Sequence, residues 1–160
     1  MADKIDTRTG RSGDVGSGKT DLLDRRMVGD DSLRVGLKGS LTDKVTEDKT
    51  ARAVGSGDLA VYATPAMIAL MEEASYKLVA PYLEEGQGTV GTRMEVCHLS
   101  ASPVGMQVTC ESEIRSLDGR RIEFSVRCQD EKGLIGEGVH ERFIIDKKKF
   151  IDKAQAKGKG

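Results

Sequence analysis

The sequence predicts a single α+β domain in which an antiparallel sheet packs against one apolar helix. An apolar helical segment lies between two prolines in residues 64–81, and four segments beyond it alternate apolar with polar residues. At 160 residues the chain is long enough to bury one core and does not require a second folded domain. These features favour one helix covered by a four-stranded meander.

The helix is predicted from Thr64 to about Ala80. Thr64 suits an N-cap followed by Pro65 as first helical residue, because proline lacks the amide hydrogen that the first turn leaves unpaired. Pro81 ends the helix, since the residue before a proline is pushed out of the helical region. We therefore expect a central and largely buried helix. Only three of its residues carry charge: Glu72, Glu73 and Lys77.

The strands follow the helix directly. Strict alternation in residues 89–99 assigns one set of side chains to the inward face: Val90, Thr92, Met94, Val96 and His98. Similar patterns recur in residues 106–115, 122–128 and 134–146, and Asp118-Gly119 is a tight hairpin signal. In the last strand, Gly136 and Gly138 permit close approach of another backbone or of a ligand.

Composition divides the chain into three parts. Residues 1–40 contain 7 glycines and no aromatic residue among mixed charges, so we expect a disordered N-terminal extension. Residues 41–150 form the predicted domain, with periodic apolar patterns starting near Val45. Residues 151–160 form a Lys-rich tail, and we expect only one frayed helical turn at this end of the chain.

Charge and cysteine content argue against several classes of protein. Lys and Arg number 25 against 26 for Asp and Glu, so no global field attracts nucleic acid or an anionic membrane. No apolar run approaches a bilayer span or a secretory signal, and we expect a cytoplasmic protein. Cys97, Cys110 and Cys128 lack CxxC spacing and lie in predicted strands. We expect reduced thiols, no metal and no cofactor.

Glu72 is the most informative position for chemistry. Its neighbours three and four residues away are Ile68, Ala69, Ser75 and Tyr76, so its carboxylate lies on an apolar stripe. Burying a carboxylate is costly unless it is paired or neutralised. Glu72 therefore either has a buried partner, has a function, or extends to the edge of the helix.

His98 and Thr64 are candidates only in combination with Glu72. His98 is the last inward-facing residue of its strand, at the rim of the sheet, where a structural histidine is also common. Thr64 could simply cap the helix. Together, however, a hydroxyl at a helix start, a carboxylate two turns on and an imidazole at a strand end suit nucleophilic or acid–base catalysis.

A phosphate-loop pattern occurs in the N-terminal extension. Residues 13–20, Gly-Asp-Val-Gly-Ser-Gly-Lys-Thr, satisfy the GxxxxGK[ST] spacing of nucleotide-binding loops. Such a loop needs a buried strand before it and a long helix after it, and the sequence offers neither. We therefore expect plain disorder, with a short docking helix near residues 22–28 as the alternative.

Several short patterns between about residues 45 and 150 support a family resemblance. They are Thr50-Ala51 with Gly55-Ser56-Gly57-Asp58, Ala63-Thr64-Pro65, Leu70-Met71-Glu72, Pro81-Tyr82-Leu83, Val90-Gly91-Thr92, His98 with Pro103-Val104-Gly105, Gly119-Arg120-Arg121 and 136–142 Gly-Glu-Gly-Val-His-Glu-Arg. With these patterns the chain resembles the hot-dog-fold thioesterases of the fluoroacetyl-CoA thioesterase-like family. The resemblance implies an acyl-CoA thioesterase, typically a homodimer with active sites at the subunit boundary.

The resemblance also implies roles for five residues. Thr64, Glu72 and His98 match the family's catalytic set, with the glutamate acting as nucleophile or general base, and Gly91 and Arg142 match positions that contact the acyl group. The fluoroacetyl-specific enzyme has lid phenylalanines ahead of its threonine, whereas residues 54–62 contain none. We therefore expect a short or medium acyl-CoA as substrate. The alternatives are a non-catalytic acyl-CoA-binding or ligand-sensing module and a hydratase on the same fold.

Overall fold

The structure, a computed structural model, describes residues 32–160, and residues 33–160 form one compact unit. Its five strands form one antiparallel sheet in the order β1-β3-β4-β5-β2. The strands are β1 (Lys38–Lys44), β2 (Gln87–His98), β3 (Gln107–Asp118), β4 (Arg121–Asp130) and β5 (Gly133–Asp146). The helices are α1 (Ala51–Val54), α2 (Thr64–Val79) and α3 (Lys147–Gly158), with short 3-10 turns at Glu47–Lys49 and Ala80–Tyr82.

Helix α2 packs across the sheet and contacts all five strands. Its buried side chains recur every three or four residues, as expected for one face of a helix. They are Met67, Leu70, Met71, Ala74, Ser75 and Val79. They meet the inward side chains of β3, β4 and β5, including Ile114, Phe124 and Ile135. The predicted α+β arrangement is confirmed.

One side of α2 stays exposed, which differs from the expected burial around most of its circumference. Ala69 is exposed, and Tyr76 keeps 43% of its surface accessible. The sheet covers only one face of a helix that lies on it, so the low charge of this segment does not mean that all sides are buried in a single chain.

Strand β1 is absent from the sequence-based prediction. It begins at Lys38 and crosses the boundary expected at residue 40, and the preceding Leu37 is buried in the core. Leu41 is its only large apolar residue. Backbone pairing with β3 therefore defines this edge strand better than any hydrophobic pattern. The extension predicted before residue 32 and the phosphate-loop pattern lie outside the described residues.

Strand β2 contains a bulge at Thr92, where its register with β5 shifts by one residue. Gly91 faces α2 before the bulge, while Met94 and Val96 pack on the core after it. The prediction is confirmed for Met94 and Val96. It is wrong for Val90 and Thr92, because the extra residue reverses the alternation.

The C-terminal segment forms more helix than the single turn expected. Asp146 caps α3 by accepting a hydrogen bond from the Lys149 amide. The helix continues to Gly158 with Phe150 and Ile151 exposed. No helix among residues 32–160 is long and apolar enough to cross a membrane. The three cysteine thiols are free, and Cys110 and Cys128 are buried opposite each other on β3 and β4.

Candidate active site

The first residue of α2 and the last residue of β2 meet at one end of the sheet. The Thr64 hydroxyl lies 2.7 Å from Nδ1 of His98. Both side chains line a cavity of about 300 Å³ that also contacts Tyr62 and Ser100. The expected position of His98 at the rim is confirmed, and its imidazole is close enough to exchange a proton with the hydroxyl.

Thr64 does not cap the helix, contrary to the sequence-based expectation. The N-cap is Ala63, whose side chain makes no capping bond, and Thr64 is already helical. The Ala63 carbonyl accepts the Met67 amide, so the first turn closes without the hydroxyl. The Thr64 hydroxyl is therefore directed to the imidazole instead of to the helix backbone.

The surroundings of His98 favour its neutral imidazole. Burial lowers its pKa from the ordinary value, because the charged ring loses hydration there. Nδ1 is bonded to Thr64, whereas Nε2 is buried and has no hydrogen-bond partner among residues 32–160. A buried polar atom without a partner is costly, so a small shift of the ring towards a polar group in the cavity would be favourable.

Glu72 lies two turns further along α2, about 12 Å from Thr64 along the helix axis. Its side chain is 44% exposed, and its Oε2 forms an ion pair with Nη1 of Arg142 at 3.2 Å. Among the described residues, no hydrogen bond connects it to Thr64 or to His98. It lines a second cavity of about 260 Å³, with Gly91, Thr92, Arg93, Met94 and His140.

Arg142 lies on β5, and its buried guanidinium makes hydrogen bonds to three residues. Nε donates to Oγ1 of Thr89 at 2.8 Å, and Nη2 donates to the carbonyl of the same residue at 3.0 Å. Nη1 lies 3.2 Å from both the Glu72 carboxylate and Nε2 of His140. The guanidinium carbon also lies 5.9 Å from the centre of the Tyr76 ring, which is a cation–π distance. Burial lowers its pKa, and the neighbouring Glu72 opposes that shift.

Gly91 fits closely under the carboxylate. A Cβ added there would lie 2.8 Å from Oε2 of Glu72 and 3.3 Å from Cε1 of His140. The close approaches expected at the β5 glycines are also present. A Cβ at Gly136 would meet Met67 on α2, and one at Gly138 would meet the backbone of β2. Space, and not backbone conformation, therefore favours glycine at Gly136 and Gly138, whereas a Cβ at Gly91 would displace the end of the Glu72 side chain.

Sequence reasoning missed His140 as a site residue. Its side chain is 1% exposed and lies beside Arg142 and Glu72. The signal that could have found it is the inward face of β5, on which Gly136, Gly138, His140 and Arg142 alternate. Two polar residues in succession on a core-facing side are uncommon and require partners.

The predicted site residues thus fall into two groups within one chain. The hydroxyl–imidazole pair consists of Thr64 and His98 at one end of β2. The carboxylate cluster consists of Glu72, Gly91 and Arg142, at the opposite half of the same strand. The two groups line separate cavities.

Comparison with known proteins identifies the family. Residues 45–148 match the model of the fluoroacetyl-CoA-specific thioesterase family. The chain is also 40% identical over 133 residues to a fluoroacetyl-CoA thioesterase from Streptantibioticus cattleyicolor, covering 79% of this chain and 96% of that protein. The chain belongs to this thioesterase family.

Solved structures of thioesterases agree with this assignment. A fluoroacetyl-CoA thioesterase has a TM-score of 0.76 at 38% identity, covering 79% of this chain and 98% of that chain. A thioesterase superfamily member from Thermus thermophilus has a TM-score of 0.73 at 31% identity, covering 79% and 93% respectively. The expected resemblance and hot-dog fold are confirmed, and this thioesterase is a thioester hydrolase.

Proposed function

We propose that this thioesterase hydrolyses a short or medium acyl-CoA to the free acid and coenzyme A, with Thr64, Glu72 and His98 as its catalytic set. The observation that carries the proposal is the position of both residue groups along β2. The hydroxyl–imidazole pair lies at its last residue, and the carboxylate cluster lies at Gly91. Each group supplies what the other lacks, since the first offers a hydroxyl and an imidazole and the second offers a carboxylate.

A homodimer would complete the site. Within residues 32–160, strand β2 is an edge of the five-stranded sheet, and an edge of twelve residues is suited to pairing with another strand. Antiparallel pairing of two β2 strands centred on Glu95, with Thr92 left unpaired as the bulge, would set His98 of one copy opposite Gly91 of the other. Glu72 of one subunit would then face Thr64 and His98 of its partner. The exposed side of α2, including Tyr76, would be covered in the same contact.

The proposed reaction uses the carboxylate first. Glu72 either attacks the thioester carbonyl carbon, giving an acyl anhydride that water then cleaves, or removes a proton from the water that attacks. In both routes the carbon–sulfur bond breaks and the sulfur leaves as a thiolate. Water supplies the hydroxyl of the acid product, and the proton that it gives up is taken by Glu72 or by the neutral imidazole of His98 and passed to the thiolate. Thr64 positions the reacting carboxylate. In this proposal Gly91 and Arg142 contact the acyl group of the substrate.

The acyl group is proposed from the residues ahead of Thr64. The curated relative is a fluoroacetyl-CoA thioesterase by name. Residues 54–62 of this chain contain no phenylalanine, so they lack the lid phenylalanines that the family resemblance associates with a fluoroacetyl substrate. The cavities beside Thr64 and Glu72, of about 300 and 260 Å³, have room for a short or medium acyl chain.

Thiol release from acyl-CoA substrates of increasing length, with fluoroacetyl-CoA included, tests the function. Glu72→Gln should lower kcat at least about 100-fold, because the amide can neither attack nor accept a proton. Glu73→Gln is the matched control, since the adjacent carboxylate only pairs with Lys77 on the surface at 2.6 Å. The proposal fails if no acyl-CoA is hydrolysed or if Glu72→Gln retains wild-type turnover.

Co-expression of Glu72→Gln with His98→Gln, each carrying a different tag, tests the shared site. Each variant alone should be inactive. A mixed dimer would hold one intact site and one doubly altered site, so a random mixture should recover about a quarter of wild-type activity. No recovery in purified mixed dimers would mean that each site uses residues of one chain.

The alternative is a non-catalytic acyl-CoA-binding or ligand-sensing module. The ion pair between Glu72 and Arg142 favours it, because the carboxylate is already engaged within its own chain. This alternative predicts saturable coenzyme A binding without thiol release. Calorimetric titration with a non-hydrolysable acyl-CoA thioether, run beside the turnover assay, distinguishes the two.

A further inference from the structure

We propose that His140 is a positioning residue: a neutral imidazole with its proton on Nδ1, which accepts a hydrogen bond from Arg142 and holds the guanidinium against Glu72. The proposal deepens the proposed function and rests on it where turnover is concerned. The hydrogen-bond arrangement itself can be tested without turnover.

The two ring contacts of His140 fix its tautomer. Nδ1 lies 2.8 Å from the Arg93 carbonyl oxygen, which can only accept, so Nδ1 carries the proton. Nε2 lies 3.2 Å from Nη1 of Arg142, which can only donate, so Nε2 presents its lone pair. Both nitrogens are thus engaged within the chain. The ring is therefore poorly suited to exchange a proton with a substrate, and it acts through Arg142.

The guanidinium needs this acceptor. Nη1 carries two hydrogens and has two partners at 3.2 Å, the Glu72 carboxylate and the His140 ring. Arg142 is only 6% exposed, so a hydrogen without an acceptor there would be costly. If the ring were removed, the guanidinium would turn to find another partner. Its distance and angle to Glu72 would then change.

The surroundings of His140 disfavour a positive charge on its ring in addition to the charge of Arg142. The ring is 1% exposed, and a proton on Nε2 would remove the acceptor and create a positive charge beside Arg142. Burial is the largest cause that lowers its pKa, while the Arg93 carbonyl acts in the opposite direction. The groups that face the ring are Glu72 on α2, Arg142 on β5, the Arg93 carbonyl on β2 and the stacked Phe124 ring on β4, and the Glu141 carboxylate acts on it electrostatically.

Two amide substitutions of His140 distinguish its hydrogen bond to Arg142 from its packing in the core. In His140→Gln the amide oxygen reaches the position of Nε2 and can accept from Arg142. In His140→Asn the amide nitrogen matches Nδ1 and leaves Arg142 without its acceptor. We expect His140→Asn to lower kcat about 10- to 100-fold, and His140→Gln to stay within about threefold of wild type. Melting temperatures of the pair should fall by similar amounts, because each loses one buried hydrogen bond.

Nitrogen NMR of the full chain reads the tautomer directly. The sequence has 2 histidines, so His98→Gln leaves His140 as the only imidazole signal. A neutral ring protonated on Nδ1 at pH 7 supports the proposal even if turnover is lost. A ring protonated on Nε2 or on both nitrogens overturns it. Equal kcat values for the Asn and Gln variants also overturn it, provided that Glu72→Gln has first established a catalytic role for the carboxylate.

Discussion

The two groups of site residues differ in how firmly the fold holds them. The hydroxyl–imidazole pair has one internal hydrogen bond, an exposed Thr64 and a buried Nε2 without a partner among residues 32–160. The carboxylate cluster is held by four hydrogen bonds from Arg142 and by the close fit of Gly91. The first group therefore has capacity for a new partner, whereas the second is already positioned.

This difference suits a site assembled from two subunits. A carboxylate that must keep its position is supported within its own chain by buried groups. The pair proposed to transfer protons has one nitrogen, Nε2 of His98, that makes no hydrogen bond among residues 32–160. Substitutions in the cluster should therefore disturb geometry, whereas those in the pair should remove chemistry and leave the fold intact.

Gly91→Ala should have the largest effect. Its Cβ would lie 2.8 Å from Oε2 of Glu72 and 3.3 Å from His140, so the carboxylate must move. A displacement of this size can cost about 100-fold in kcat/KM. Gly88→Ala is a control on the same strand, because its Cβ would meet only the flexible end of Lys147 at 2.9 Å. Neither glycine has a positive φ, so strain does not differ between them.

Steady-state kinetics with the best acyl-CoA measures both glycine variants. Equal losses for Gly88→Ala and Gly91→Ala would contradict the assignment of Gly91 to the carboxylate cluster. A crystal structure of Gly91→Ala should have the carboxylate turned away from Arg142.

Thr64→Val should have an intermediate effect. The change removes the hydroxyl at nearly constant volume and breaks the 2.7 Å contact with His98, which should lower kcat about 10-fold. Thr64→Ser keeps the hydroxyl and should restore most of the activity. Because Ala63 is the N-cap, the melting temperature should stay close to wild type. Loss of stability typical of a broken cap, about 1 kcal/mol, would contradict this geometry.

The sequence predicts the parts of the fold that have strong periodicity. Helix α2 and strands β2 to β5 follow from apolar spacing and turn residues, whereas β1 does not, because Leu41 is its only large apolar residue. The bulge at Thr92 has no sequence signal of its own. It reverses the side-chain alternation and brings Gly91 under Glu72.

The site could be predicted only in part for a similar reason. Residue type and family resemblance indicate Thr64, Glu72 and His98, but linear spacing does not reveal that they form two groups. The roles of Arg142 as partner of Glu72 and of His140 as acceptor depend on contacts between β5 and α2. Such contacts depend on strand order and register, which local patterns do not specify.

The smallest expected effect is on stability in acid. Burial lowers the pKa of both His98 and His140, so the unfolded chain binds more protons than the folded chain once the pH falls below about 6.5. Stability is then fully present above that pH and decreases on acidification, by at most about 1.4 kcal/mol per pH unit for each histidine. Urea unfolding between pH 7.5 and 5.5, at constant protein concentration, measures this slope.

Removing each histidine in turn compares the two groups directly. His140 is almost fully buried beside a cation, whereas His98 is half-buried beside a neutral hydroxyl. His140→Gln should therefore flatten the acid slope more than His98→Gln. The reverse order would mean that the environment of His98 disfavours charge more strongly than that of His140. The hydroxyl–imidazole pair would then be the more tightly enclosed of the two groups.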